Sequence, residues 1–185
     1  MSLEHAILGF LNYGPSSGYD LKKMFDVSVQ HFWPADQSQI YRTLSRLEDK
    51  GWVDKHVIEQ DDRPDRKEYQ ITEAGQAELR QWLITPLRAK EMRHAGLIQV
   101  FFAGQLSDEE ILEILERIAG KLRLLLAGYA QVPQQSAEVC EWVGSPREEF
   151  FWMLTLDWGI HSAQAQLEWL EGVIQKIKAK EHPAN

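Results

Sequence analysis

The spacing of apolar residues near the start of the chain is that of amphipathic helices. Apolar side chains recur every three or four residues over 3–13 and again over 18–28, and this period predicts two helices. The segment between them, "YGPSSGYD", contains a Gly-Pro pair that ends a helix. Ser17 and Asp20 follow with the spacing of a capping box, so the second helix is expected to begin there.

A third helix is expected within "DQSQIYRTLSRLEDKGWV", residues 36–53. Asp36 and Gln39 have the spacing of a second capping box, and Gly51 suits the left-handed residue that commonly follows a helix. At 100° per residue, three apolar residues fall within about 60° of one another and should face the core: Ile40, Leu44 and Leu47. The opposite side is polar, and its residues are Ser38, Arg42 and Ser45, with Gln39 and Arg46 beside them.

The next segments carry strand signals and then helix signals. "WVDKHVIEQ" and "RKEYQI" are strand-like, and "DDRPD" between them is typical of a turn, so the pair is predicted to form a hairpin. Another helix is predicted to start at Thr72. The order helix, helix, helix, hairpin, helix is that of a winged helix-turn-helix domain. In such a domain the third helix enters the major groove and the hairpin touches the flanking DNA backbone.

The second half of the chain has only helical spacing. Ser107 and Glu110 form a capping box before a helix that reaches Tyr129, and Ser145 with Pro146 opens another that should extend to about residue 180. That last helix would be roughly 50 Å long. Its length predicts that a partner chain covers its apolar seam, which consists of Met153, Leu156, Ile160, Leu167, Leu170, Ile174 and Ile177.

These elements predict a mainly α fold with a small β-hairpin wing. Residues 1–88 are expected to form the winged helix-turn-helix domain, and residues 89–185 an α-helical dimerisation domain that also senses an effector.

Three stretches resemble the signature blocks of the PadR-like transcriptional regulators: "AILGFLNYGPSSGYDLKKMF", "SQIYRTLSRLEDKGWV" and "RKEYQITEAGQAEL". The resemblance covers residues 1–85. A weaker similarity over residues 90–180 is to the helical C-terminal domain of the longer, virulence-activator-like branch. The resemblance implies a DNA-binding regulator and, as in some members, an effector that is phenolic or planar and aromatic. The wing departs from the family's usual Gly/Arg-rich pattern, because "DDRPDRK" contains three aspartates.

The outward side of the third helix carries side chains that suit DNA recognition. Arg42 and Arg46 can donate two hydrogen bonds to guanine, and Gln39 can read adenine or reach a phosphate. Tyr41 lies at the flank, where its hydroxyl could reach a phosphate oxygen. The predicted DNA-binding residues are Ser38, Gln39, Tyr41, Arg42, Ser45 and Arg46 on the helix, with Arg63, Arg66 and Lys67 on the wing.

The charge of the chain leaves a second interpretation open. The net charge is −8, and it is not concentrated in one half of the chain, so binding to DNA would have to depend on local clusters. A polar helix face is also often only solvated surface. The alternative to a DNA-binding regulator is therefore a winged-helix adaptor that binds another protein and does not read DNA.

No pattern in the sequence indicates an enzyme. Nucleophile elbows, Gly-rich phosphate loops, zinc-protease motifs and C-x-x-C pairs do not occur in it, and the six histidines are scattered. The one cysteine, Cys140, has no catalytic motif near it and is interpreted as a packing residue. No cofactor or metal is predicted.

The tryptophan-rich start of the last helix, "FFWMLTLDWGIH", has two interpretations. It is either buried on both sides or lines a pocket for a small planar aromatic or phenolic effector. In the second case the expected ligand-binding residues are Arg93, His94, Trp152, Trp158 and His161.

The location expected from the sequence is the cytoplasm. No apolar run approaches the ~20 residues that a membrane span needs, and the N-terminus lacks the basic flank of a signal peptide. A lone cysteine also fits a reducing compartment. We therefore expect a cytoplasmic, homodimeric regulator of transcription that acts as a repressor on operator DNA.

Overall fold

The computed structural model describes residues 2–30, 32–58, 66–87, 94–132, 145–181 and 183. These residues divide into two compact units. The first contains the described residues up to 87 together with 145–149, and the second contains 94–132 and the described residues from 150 onward. The division into residues 1–88 and 89–185 stays a prediction, because the described residues 145–149, which it assigns to the second domain, group with the first unit.

The first unit contains four helices and three short strands. The helices are α1 (Ser2–Leu11), α2 (Gly18–Val27), α3 (Gln37–Asp49) and α4 (Glu73–Ile84). The strands are β1 (Ser16–Ser17), β2 (Val53–Ile58) and β3 (Arg66–Ile71). The predicted order of helices and hairpin is confirmed.

The helix ends follow the capping signals in the sequence. Ser17 with Asp20, and Asp36 with Gln39, form complete capping boxes that satisfy backbone N–H groups at the starts of α2 and α3. Gly51 has a φ of 68°, so it is the left-handed residue that ends α3. The Trp52 N–H then donates to the Leu47 carbonyl at 2.9 Å, which completes a Schellman motif.

The sheet has one strand more than the sequence predicted. β3 lies between β1 and β2, and both pairings are antiparallel. Ser16 lies opposite Tyr69, and Lys55 lies opposite the same tyrosine from the other side. A two-residue strand is too short to show an alternating pattern, so β1 could not be recognised from spacing.

One hydrophobic core joins the elements of the first unit. It contains residues from α1, α2, α3, β2, β3 and α4. Ile40, Leu44 and Leu47 of α3 are completely buried in it, as predicted. Because all three core residues of α3 are covered, this helix is fixed in rotation and its polar side must face outward.

The second unit is helical throughout its described residues. It contains α5 (Ala95–Phe102), a short 3₁₀ turn at Ala103–Gln105, α6 (Asp108–Tyr129) and the larger part of α7 (Pro146–Lys178). Two ion pairs join α6 to α7, Glu116 with Lys178 at 2.7 Å and Arg123 with Glu171 at 2.6 Å. Residue numbers rise on one helix as they fall on the other, so α6 and α7 are antiparallel.

The α7 seam packs against α6 of the same chain. The sequence predicts that a partner chain covers this seam, and a partner's contact with its half-buried residues stays a prediction. Leu170 and Ile174 are buried with Leu115 and Ala119, while Leu167 and Ile177 pack against them. Nearer the start of α7, Leu156 is buried beside Tyr129, with Met153 and Ile160 packed around the pair. The seam residues Met153, Leu156, Ile160, Leu167, Leu170, Ile174 and Ile177 therefore form an intramolecular core.

A second apolar face of α7 is exposed, and we call it the outer stripe. Its members are Phe150, Leu154, Trp158 and Trp169, which lie on the side of α7 opposite the seam at 100° per residue. Trp158 is 64% exposed and Phe150 59%. A stripe of large exposed apolar side chains of this kind typically marks an interaction surface.

Candidate nucleic-acid interface

The candidate interface consists of the outward side of α3 and the strands beside it. Ser38, Gln39, Arg42, Ser45 and Arg46 are all exposed on that side of the helix. The structure therefore brings together the predicted helix residues on one surface, and Tyr41 lies at its edge with 41% of its surface exposed.

The Tyr41 ring is held by contact with the start of α2. Gly18 begins α2, and a Cβ atom on this glycine would stand 2.5 Å from Cε1 of Tyr41. No real side chain tolerates that approach, so the ring lies directly over the Gly18 backbone. This contact fixes the edge of the interface relative to α2.

The side chains of the two arginines of α3 differ in how firmly they are held. The Arg42 Nε donates to the Ser38 carbonyl of its own helix at 3.3 Å, and the described residues offer it no ion pair. Arg46 is held more firmly, because its Nη2 donates to the buried Thr43 hydroxyl at 2.9 Å and its Nε lies 4.0 Å from Glu4 Oε1. Arg42 is therefore the arginine of α3 that is freer to reach a base or a phosphate.

Gln39 is held in one orientation by the cap of α3. Its side-chain carbonyl accepts a hydrogen bond from the Asp36 N–H at 3.0 Å as part of the capping box. This bond uses one of the two lone pairs of the carbonyl oxygen, and the other lone pair and the amide N–H groups can still take partners. That Gln39 reads adenine or reaches a phosphate stays a prediction, with the cap setting the direction of the side chain.

Arg66 of the wing is held by two carboxylates. Its Nη2 lies 3.0 Å from Asp20 Oδ2 and 3.0 Å from Glu68 Oε1. These pairs offset the arginine's charge and compete with any phosphate. Lys67 is exposed and has no ion pair within the described residues, so it is the stronger wing candidate for a phosphate contact. Arg63 lies outside the described residues.

Sequence reasoning missed three groups near the interface. Lys50, just after α3, donates to Glu4 Oε2 at 2.9 Å and lies 4.3 Å from the centre of the Trp52 ring. On β2, Lys55 pairs with Glu48 at 2.6 Å, and this hydrogen bond raises the pKa of the lysine. A cleft of about 760 Å³ also runs beside α3 and is lined by Leu3, Phe32, Trp33, Pro34, Gln39, Arg42, Thr43 and Arg46. The cleft depends on tertiary packing, so spacing along the chain gave no signal for it, and the two-residue separation of Lys50 and Trp52 does not by itself predict a contact between ammonium and ring.

The predicted effector residues that the structure describes lie on different parts of the second unit. Trp158 lies on the outer stripe, and His161 is exposed and pairs with Asp157 at 3.2 Å. His94 caps α5 by accepting from the Leu97 N–H at 3.3 Å. Trp152 is half-buried, and Arg93 lies outside the described residues.

A different cavity occupies the second unit. It measures about 960 Å³ and lies among α5, the 3₁₀ turn, α6 and the end of α7. Its walls are mainly apolar, and its charged lining residues are Asp108, Glu109 and Lys180. None of the predicted effector residues lines it.

Two classes of site are absent from the described part of the chain. No group of three or more metal-ligating side chains comes together there. None of the helices in it combines the length and apolar character that crossing a bilayer requires.

Relatives of this chain identify its family. Residues 7–81 match the model of the transcriptional regulator PadR-like family, and residues 92–178 match the virulence activator alpha C-terminal domain. The negative transcriptional regulator PadR of Bacillus subtilis is 31% identical over 180 residues, which are 95% of this chain and 97% of that protein.

The chain belongs to the PadR-like family of transcriptional regulators.

Further relatives agree with this PadR-like assignment. The probable transcriptional regulator Rv1176c of Mycobacterium tuberculosis is 47% identical over 87 residues, 47% of this chain and 46% of that protein. The crystal structure of Bacillus subtilis PadR in complex with operator DNA superposes with a TM-score of 0.80 at 29% identity, covering 96% of this chain and 99% of the other. The same protein in complex with p-coumaric acid gives a TM-score of 0.74 at 27% identity, with coverage of 96% and 99%. Because these relatives are regulators of transcription, the prediction that the chain is no enzyme is confirmed.

Proposed function

We propose that this PadR-like regulator binds operator DNA in the cytoplasm and represses transcription. The observation that carries the proposal is the rigidly mounted α3, whose buried side is fully covered and whose outward side presents Arg42, Ser38 and Ser45. An arginine on such a helix can donate two hydrogen bonds to guanine in the major groove. The operator complex of Bacillus subtilis PadR supports the same use of the winged helix, and the description of that relative as a negative regulator supports repression.

The decisive experiment compares operator and non-operator DNA. A random duplex library is enriched for binding to the protein, and the enriched duplex is tested beside a shuffled copy at two salt concentrations. We expect enrichment of one sequence and tighter binding to it at both concentrations. If no sequence is enriched and no duplex shifts, α3 is a solvated surface and the protein-interaction adaptor becomes the better interpretation.

We further propose that the regulator is a homodimer joined through the outer stripe. The α7 seam packs against α6 within the chain, which favours another surface for the partner, and Phe150, Leu154, Trp158 and Trp169 are large exposed apolar side chains on one side of α7. Four residues of α5 are also exposed and apolar: Leu97, Ile98, Phe101 and Phe102. Two linked winged helices would bind half-sites spaced by one or more helical turns far more tightly than one.

An aromatic effector is the third part of the proposal. Its support is the p-coumaric acid complex of Bacillus subtilis PadR, together with the exposed Trp158 and the nearby imidazole of His161. A planar acid could stack on the indole and place its carboxylate near a protonated imidazole. Ligand binding can release DNA only if the ligand prefers a protein geometry that fits the operator less well.

The effector proposal has its own measurement. Tryptophan fluorescence is followed during addition of phenolic acids, and operator release is measured in the same samples. His161→Ala should remove both signals and leave ligand-free DNA binding intact. If no phenolic acid changes the fluorescence or the DNA affinity, this part of the proposal is wrong.

A further inference from the structure

A buried carboxylate lies behind the DNA-facing side of α3. Glu4 of α1 is only 2% exposed, although glutamate is rarely buried without full pairing. Its Oε2 accepts a hydrogen bond from Lys50 Nζ at 2.9 Å. Its Oε1 is buried and has no hydrogen-bond partner among the described residues.

The oxygen without a hydrogen bond faces Arg46. The Arg46 Nε lies 4.0 Å from Glu4 Oε1, a distance that allows an ion pair but exceeds a hydrogen bond. The Thr43 hydroxyl holds the same guanidinium through Nη2. Two cations at the C-terminal end of α3 are thus drawn toward one carboxylate in the protein, while their side chains stay 50% and 39% exposed.

This arrangement acts on the part of DNA binding that does not depend on sequence. Any duplex attracts exposed cations, because each phosphate contact releases a counterion. A carboxylate that offsets the charge of two such cations weakens that attraction for every duplex alike. Arg42 makes no ion pair with Glu4, so a base contact from Arg42 would keep its full strength.

We propose that Glu4 is a positioning residue that restrains Arg46 and Lys50 and thereby weakens binding to non-operator DNA. The inference rests on the proposed function, since it assumes that α3 faces DNA. The restrained cations still contact phosphates on the operator, where the base contacts hold the duplex in register. On other sequences nothing offsets the cost of drawing them away from Glu4, so Glu4 contributes to specificity without touching a base.

The test is Glu4→Gln, which removes the charge and keeps the side-chain shape. Affinity for the selected operator and for its shuffled copy is measured by fluorescence anisotropy over a range of salt. We expect non-operator binding to tighten by about two- to fivefold and its salt dependence to steepen by about one unit. Operator affinity should change less, so the ratio of operator to non-operator affinity should fall.

Two controls separate this role from a general effect of charge or folding. Glu78→Gln removes one negative charge from the same unit, where Glu78 pairs with His5 at 3.1 Å, and it should leave the affinity ratio unchanged. In an Arg46→Ala/Lys50→Ala background, Glu4→Gln should have no further effect, because the side chains through which it acts are gone. Thermal denaturation of each variant establishes that it is folded.

Several results would overturn the inference. The affinity ratio could be unchanged in folded Glu4→Gln, it could fall equally in Glu78→Gln, or the effect could persist without Arg46 and Lys50. If Glu4→Gln does not fold, the restraint still predicts that Arg46→Ala weakens non-operator binding less than Arg42→Ala, and equal losses would count against it. A wild-type protein that binds no duplex would refute the proposed function itself, a result distinct from all of these.

Discussion

Tyr41 covers the backbone of Gly18 so closely that a methyl group on the glycine would lie 2.5 Å from the tyrosine ring. The contact joins the start of α2 to the exposed edge of α3. The close packing of α2 against this edge of α3 therefore depends on a residue that has no side chain.

The first prediction concerns this contact. Gly18→Ala should displace the Tyr41 ring and lower the free energy of unfolding by about 1–3 kcal/mol, as overpacking does elsewhere. Urea denaturation measures the change. Tyr41→Ala removes the obstruction, so adding Gly18→Ala to that variant should cost much less than it costs alone. Strictly additive losses in the double variant would show that the two residues do not meet.

Arg42→Ala tests the predicted base contact. Operator binding should weaken by about 1–3 kcal/mol, and preference at one base pair should relax, because a two-point contact to guanine is lost. Competition binding against single-base operator variants measures both effects. Arg80→Ala is the matched control, since Arg80 is an exposed arginine of α4 in the same unit. Equal effects of the two substitutions would mean that Arg42 supplies only charge.

The two wing cations should behave differently. Lys67→Ala is expected to weaken binding to all duplexes and to flatten the salt dependence by about one unit, because an exposed cation with no ion pair among the described residues is lost. Arg66→Ala should leave the salt slope near the wild-type value, since Asp20 and Glu68 already hold that guanidinium. The measurement is the slope of the logarithm of affinity against the logarithm of salt concentration for each variant. A larger change in Arg66→Ala than in Lys67→Ala would contradict the assignment.

Substitutions on the two faces of α7 should change different properties of the protein. Leu170→Ala removes a buried seam residue and should lower the free energy of unfolding by about 2–5 kcal/mol. Trp158→Glu places a charge on the outer stripe and should instead shift the protein toward monomer in sedimentation velocity at micromolar concentration. Gln166→Glu, at another exposed position of α7, should do neither. If Trp158→Glu sediments like the wild type, the outer stripe is not the dimer surface.

The capping box of α6 predicts a dependence on pH. The Ser107 N–H donates to Glu110 Oε2 at 2.9 Å, and this backbone hydrogen bond, with one from the Ser107 side chain, lowers the pKa of Glu110. A lowered folded-state pKa stabilises the folded protein above the usual glutamate pKa of about 4.3, and the contribution is lost as pH falls through the lowered value. Ser107→Ala should cost about 1 kcal/mol at neutral pH and reduce that acid sensitivity. Thermal denaturation at pH 7 and below pH 4 is the measurement, and a Glu110→Gln variant with unchanged acid sensitivity would refute the assignment.

Local patterns predicted most of the first unit. Capping boxes, the left-handed Gly51 and the apolar side of α3 are set by residues within one or two turns of each other, so the sequence carries them directly. β1 was missed because two residues show no period. The position of the Arg66 side chain was missed because Asp20 lies 46 residues away in sequence, and only the folded sheet brings it close.

The second unit shows a different limit of sequence reasoning. The length and the seam of α7 followed from spacing, and the helix spans Pro146–Lys178. A periodic apolar seam indicates that a helix must be covered, but it does not indicate whether the same chain or a partner chain covers it. The antiparallel α6 supplies that cover through Leu115 and Ala119, whose own spacing was equally clear. Matching two seams within one chain requires the connection between them, and helical period contains no information about that.

The capping bond of Gln39 couples the start of α3 to anything else that this side chain contacts. The Gln39 carbonyl accepts from the Asp36 N–H at 3.0 Å, and the Asp36 carboxylate accepts from the Gln39 N–H at 2.7 Å. The carbonyl oxygen has a second lone pair, so it can take a further partner, but only in the direction that the cap leaves open. A partner that turns the amide away from this direction leaves the Asp36 N–H without its acceptor. Recognition by Gln39 and the stability of the first turn of α3 therefore depend on the same hydrogen bond.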